Sequence, residues 1–228
     1  MAGFQVHLTG AALAAGVAAT ALLGAGVVTP AESLLLLVLG TGGGLLPDLD
    51  ADRSTPLDVA VTLLSMGLAF LAMFHVRDSL TTAALLGVWL GVWMLCKTVV
   101  FRAFIAWTEH RGAFHSLPAA LACGLGVAGA AYHLTSWPAG LCWLAGLFLA
   151  LGFVLHLVLD EVWSLNLLGL GGSKQSLGTA CKLWSASTVG NALVAAALAV
   201  TLALAPPWTA LADLYSGDLM TVLATRLW

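Results

Sequence analysis

The sequence predicts an all-α, polytopic transmembrane helix bundle of about six or seven spans. Three observations predict it. Of 228 residues, 61% are hydrophobic. Only 8% are charged, where a soluble domain carries roughly 25%. The apolar stretches are continuous runs near the ~20 residues that a bilayer crossing needs. They lack the every-second-residue alternation of a barrel strand.

The same arithmetic removes other classes. Eight Lys/Arg against eleven Asp/Glu leave a net charge of −3. No basic surface for nucleic acid is expected, and the chain is too apolar for disorder. Membrane lipids are the expected surroundings and no nucleic-acid partner is expected. Cys96, Cys123, Cys142 and Cys181 make no CxxC pair and read as small buried hydrophobes, not as a disulfide framework. No Lys or Arg precedes the first apolar run, which is long for a signal peptide, so a retained span is expected.

Polar interruptions divide the chain in order. Span 1 covers 8–29, and span 2 covers 32–46, short and rich in glycine (Gly40, Gly42, Gly43, Gly44). Spans 3 to 7 cover 57–76, 80–101, 117–135, 138–158 and 187–205. Thr55-Pro56-Leu57-Asp58 offers span 3 an N-cap threonine, a proline at the first helical position and an acid in the first turn. Ser116-Leu117-Pro118 can cap span 5 in the same way. Trp107, Trp137, Trp163, Trp184 and Trp208 lie near span ends, where tryptophan anchors in the membrane interface. Residues 1–205 read as one transmembrane domain and 206–228 as a tail lying in the interface.

In so apolar a chain the few polar groups mark function. They gather in four places: His7; Asp48 and Asp50 after span 2; Glu109 to Ser116 before span 5; and His156 with Asp160 and Glu161 closing span 6. Counting crossings from His7, all four reach one face of the bilayer. His75 and His133 fall on the opposite face and have no acidic partner motif.

Histidine with carboxylate is a ligand set for zinc, manganese or iron. His156 and Asp160 are four apart and share one helix face. His110 and His115 are five apart and straddle a loop and the start of span 5. Pro47 and Pro56 favour a loop around Asp48 and Asp50. His7 taken alone reads as an interfacial histidine.

Competing motifs fail. The Asp48-x-Asp50-x-Asp52 run lacks an EF-hand's glycine and final glutamate, with Arg53 and Val59 in those positions. Gly40 to Gly44 lacks the lysine of a phosphate-binding loop and reads as close helix packing. No HExxH and no GxSxG is present.

The ordered pattern resembles the YdjM-like family of membrane-bound, metal-dependent hydrolases. The elements carrying the resemblance are His7, Leu46-Pro47-Asp48-Leu49-Asp50 with Ser54, His110-Arg111-Gly112-Ala113-Phe114-His115-Ser116, and His156 with Asp160. The later block from Ser176 to Ser185 is similar to one found in a branch of that family. The resemblance implies ligand roles for His7, Asp48, Asp50, His110, His115, His156 and Asp160. It also implies a distant likeness to the helical zinc-dependent phospholipase C and single-strand nuclease group. Phe114 departs from the threonine common at that position, which removes a polar contact beside His115.

The expected function is therefore hydrolysis, by metal-activated water, of a phosphoester in a lipid or lipid-linked substrate. Arg111 is the candidate to hold a phosphate oxygen through its forked guanidinium. Glu109 and Glu161 are candidate general bases or partners of the ligands. The cofactor would be a divalent metal, zinc first with manganese or iron as alternatives. Seven candidate ligands exceed one tetrahedral shell, so one or two ions fit. A metal-ion or proton-coupled transporter and a scaffold with a structural metal are the competing readings. The resemblance implies a bacterial-type inner membrane, and the Lys/Arg distribution puts the expected site at its cytoplasmic face.

Overall fold

The computed structural model describes residues 3–50, 55–102, 112–164 and 181–215. Regular structure among them is entirely helical. The helices are α1 (Phe4–Gly24), α2 (Pro30–Gly43), α3 (Thr55–Val76), α4 (Thr82–Leu95), α5 (Leu117–Leu134), α6 (Ala139–Ser164), α7 (Thr188–Ala203) and α8 (Trp208–Tyr215). Helices α1 to α7 fall on the seven apolar runs in order.

Among the described residues, five stretches are long and apolar enough to cross a membrane: α1, α2 continued to Asp48, α4 continued to Val100, α5 and α6. The 16 residues of α7 make a shorter apolar helix. Helix α3, with 22 residues, is about 33 Å long at 1.5 Å per residue.

Local chemistry sets the helix ends. Gly26 turns the chain between α1 and α2 at φ 72°, a left-handed conformation that glycine adopts without a Cβ penalty. Thr29 and Glu32 then close a reciprocal capping box at α2, with Pro30 opening the helix. Ser116 caps α5 by accepting the Ala119 N–H. Helix α3 begins at Thr55 itself, and the Thr55 side chain lies outside the described set.

Two boundaries differ from expectation. Leu46–Asp50 is a 3-10 turn and not an open loop. Gly44 stays in right-handed helical conformation at φ −68°, so the winding of α2 tightens and continues. Helix α6 runs on to Ser164, past the expected end at residue 158. Asp160 does not break it, because that carboxylate is buried among partners from other helices.

Helix α6 lies at the centre, with α1 and α2 on one side and α5 on the other. Helix α7 packs on α5. Helices α3 and α4 form a hairpin tied by Lys97 Nζ to Thr62 Oγ1 at 2.7 Å and by the Phe70 and Trp89 rings at 5.6 Å. A π turn at Cys96–Val100 ends α4 beside Lys97. Ala15, Ala19, Leu36, Leu144, Ala145 and Phe148 form the apolar core where α1, α2 and α6 meet. Leu13, Val17, Leu34, Val38 and Leu90 face outward, as a lipid-facing surface requires. The N-terminal ends of α1, α5 and α7 share one end of the bundle with the C-terminal ends of α2 and α6, and the candidate ligands are there.

Candidate metal centre

Four separate elements supply the centre. His7 sits in the first turns of α1, on the buried line that continues through Ala11, Ala15 and Ala19. Asp48 comes from the 3-10 turn after α2. His115 comes from the tight turn before α5. That turn is held by the Ser116 hydroxyl, which donates to the Ala113 carbonyl at 2.6 Å. His156 and Asp160 lie one turn apart on α6.

Asp160 is the hub. Its Oδ1 is 3.3 Å from His7 Nε2, and its Oδ2 is 3.3 Å from His115 Nε2 and 3.9 Å from His156 Nε2. On the other side, His156 Nε2 is 3.5 Å from Asp48 Oδ1. The His7 and His156 rings stack at 3.6 Å, nearly parallel at 12°. His7, His156 and Asp160 present ligand atoms within 4.8 Å of one another, so the group can hold a metal ion. His7, His115, His156 and Asp160 are each no more than 1% exposed, whereas the Asp48 side chain is 28% exposed. The cluster therefore opens on its Asp48 side.

Two backbone carbonyls decide how the rings are presented. His156 Nδ1 is 2.7 Å from the Gly44 carbonyl oxygen, and His115 Nδ1 is 3.3 Å from that of Pro47. A carbonyl only accepts, so His156 Nδ1 carries the proton and donates, whereas His115 faces acceptors at 3.3 Å on both ring nitrogens, the Pro47 carbonyl on Nδ1 and the Asp160 carboxylate on Nε2. The Nε2 atom of a neutral His156 then directs its lone pair at the carboxylates of Asp48 and Asp160. Those are acceptors too. His156 Nε2 and His7 Nδ1 have no hydrogen-bond partner among the described residues.

Such a cluster needs positive charge at its centre. Burying carboxylates without compensation costs several kcal/mol per ion. Protonating both stacked rings would set two cations face to face at 3.6 Å, which is repulsive. One divalent ion between imidazole lone pairs and carboxylate oxygens satisfies both donor types. The residues present fit a hard or borderline divalent metal, and a ring proton given to a carbonyl is the usual second contact of a metal-bound histidine.

Of the expected site residues, His7, Asp48, His115, His156 and Asp160 come together. Asp50 lies in the same turn, but its side chain is outside the described residues, as are Glu109, His110 and Arg111 altogether. Glu161 follows Asp160 on α6 and acts on a different neighbour. Partial desolvation first, and the Glu161 carboxylate second, push the Cys181 thiol above its ordinary pKa. Phe114 turns away from the polar cluster and meets Phe153 edge-on at 5.5 Å. His133 bonds the Leu204 carbonyl, at the opposite end of α5 from Ser116.

The reading from residue types did not find the Gly44 and Pro47 carbonyls. A signal for the first existed: Gly44 precedes Asp48 by four residues, as Gly152 precedes His156.

The segment before α7 closes the same end. The Lys182 carbonyl accepts from the Leu117 N–H at 3.1 Å. The Asn191 side chain then pins Ser185 through both its backbone groups, at 2.9 and 2.8 Å.

Comparison with curated proteins and with solved structures returns no match. The model of the YdjM inner membrane protein family matches residues 1–171, which hold every residue of the cluster, and the chain belongs to that family.

Proposed function

We propose that the protein is a membrane-embedded, metal-dependent hydrolase acting on a phosphoester of a lipid or lipid-linked substrate. The observation that carries this reading is His156, whose Nδ1 is committed to the Gly44 carbonyl while its Nε2 faces the carboxylates of Asp48 and Asp160. His7, Asp48, His115, His156 and Asp160 would hold the ion, with Asp50 and His110 as further ligands. A bound divalent ion supplies a Lewis acid and lowers the pKa of water to about 7.

The protein's own groups do the remaining work. Asp48, on the open side, is where substrate and water reach the cluster. Arg111 holds a phosphate oxygen, which its planar fork suits better than a lysine would. Glu109 and Glu161 are assigned to proton transfer or to contacts behind the ligands. The apolar bundle excludes water from all but the Asp48 side, which favours a substrate with an acyl or prenyl tail. The cluster also sits at one end of the bundle, above an apolar core of α1, α2 and α6. A transport path would continue polar through that core.

The test is metal content together with phosphate release. Purified protein should retain a divalent metal and release phosphate from a lipid phosphate in mixed micelles. Both should vanish on chelation and return with metal. Metal retention without turnover on any lipid phosphoester would sink the hydrolase assignment.

A further inference from the structure

At the α1, α2 and α6 crossing, a small residue lies one turn from each of His7, Asp48 and His156. On α1 the buried line is Ala19, Ala15, Ala11 and then His7. On α2 it is Gly40 and Gly44, with Asp48 four residues on. On α6 it is Gly152, then His156, then Asp160.

These small residues are in contact. A Cβ on Gly152 would overlap the Gly40 carbonyl oxygen and come within 2.8 Å of the Gly44 nitrogen. One on Gly44 would overlap the Ala11 Cβ, and one on Gly40 would lie 2.6 Å from the Ala15 Cβ. Added atoms at these places must push α2 off α6 or off α1. The first displacement acts on the Gly44 carbonyl, which holds His156 Nδ1 at 2.7 Å. Both act on Asp48, which faces His156 Nε2 at 3.5 Å.

We propose that Gly152, Gly44 and Ala11 form a spacer that sets the separation of α1, α2 and α6 at the metal centre, making Gly152 a positioning residue for His156. The proposal rests on the metal reading above. The spacer touches no ligand ion or substrate. It acts by holding the Gly44 carbonyl where it fixes the ring tautomer of His156, and Asp48 where it faces Nε2.

A matched control exists elsewhere on α6. A Cβ on Gly146 would overlap the Gly124 carbonyl oxygen and lie 2.9 Å from the Ala128 Cβ. That crossing is also close, though less so than the one at Gly152, and it is made with α5, ten residues from His156.

The experiment compares Gly152→Ala with Gly146→Ala by Zn²⁺ titration of the metal-stripped, full-length protein, and by ¹⁵N NMR of its histidine rings. Gly152→Ala is expected to weaken Zn²⁺ binding about 10- to 100-fold, as loss of a contact behind a ligand does. It should also shift the proton of His156 away from Nδ1. Gly146→Ala is expected to lose thermal stability while keeping wild-type Zn²⁺ affinity and the Nδ1–H tautomer. Where Gly152→Ala does not fold, Gly44→Ala decides: it should weaken Zn²⁺ binding, and adding Ala11→Gly should restore it by returning the space.

Wild-type affinity in Gly152→Ala, an equal loss in Gly146→Ala, or no rescue by Ala11→Gly would each overturn the proposal. Wild-type protein that takes up neither Zn²⁺ nor Mn²⁺ nor Fe²⁺ would instead overturn the metal reading. In that case the ring spectra still decide the spacer, since an unchanged His156 tautomer in Gly152→Ala refutes it.

Discussion

The Nδ1 of His156 lies 2.7 Å from the carbonyl oxygen of Gly44, across 112 residues of sequence. This one bond joins the central helix to the end of α2 and fixes which nitrogen of the ring faces Asp48 and Asp160. Packing, tautomer and ligand geometry are therefore set by a single contact, and the predictions follow from how such contacts are built.

Ser116→Ala is expected to cost about 1–2 kcal/mol of stability, the range for losing an N-cap side chain. The hydroxyl both accepts from Ala119 and donates to Ala113, and it is buried. Because His115 precedes it directly, metal affinity should fall as well. Thermal unfolding in detergent, beside a metal titration, checks both. Unchanged stability would mean that the turn before α5 is held by other contacts.

Much of the architecture was legible in the sequence. The seven apolar runs became α1 to α7, because a bilayer leaves a span no alternative to a closed hydrogen-bonded helix. The ends were less so. His7 lies within α1 and not before it, since burial against α6 lets a polar residue occupy a helical turn. Residue types picked out Asp48, His115, His156 and Asp160, and the family resemblance added His7. They could not pick out the Gly44 and Pro47 carbonyls, because backbone groups carry no side-chain signature. Nor could they show that Glu161 acts on Cys181, which depends on how the chain returns to α7.

Glu161→Gln should speed alkylation of Cys181 by a maleimide near neutral pH. The Glu161 carboxylate contributes to holding the thiol above its ordinary pKa. Removing that charge lowers the pKa and raises the thiolate fraction, which is the reactive form. The rate should rise with pH in both proteins, with the variant's profile displaced to lower pH. Identical profiles would remove Glu161 from the neighbourhood of Cys181.

Orientation follows from the basic residues. Counting spans along the sequence assigns Arg53, Lys97, Arg102, Arg111, Lys174 and Lys182 to the side of the motifs, and only Arg77 and Arg226 to the other. By the positive-inside rule the motif side and the N-terminus are expected in the cytoplasm and the C-terminus outside. A C-terminal fusion should be active with alkaline phosphatase and dark with a fluorescent protein that matures only in the cytoplasm. The reverse pattern would invert the assignment.

Asp160→Asn and Arg111→Lys separate holding the ion from using it. Asparagine keeps the size of Asp160 and its place on α6 but removes the charge that faces His7, His115 and His156. Metal affinity should fall at least about 100-fold, beyond the range for contacts behind a ligand, and phosphate release should fall with it. Helix content should not change, because the carboxylate closes no helix end. Arg111→Lys keeps the charge and loses the fork. Metal should stay bound while turnover drops about 100-fold, the scale for losing one oriented donor to developing charge. The measurements are metal stoichiometry and initial rates on the wild type and both variants. Full metal occupancy in Asp160→Asn would remove Asp160 from the ligand set. Parallel loss of metal in Arg111→Lys would make the arginine a support of the centre and not a group that meets the substrate.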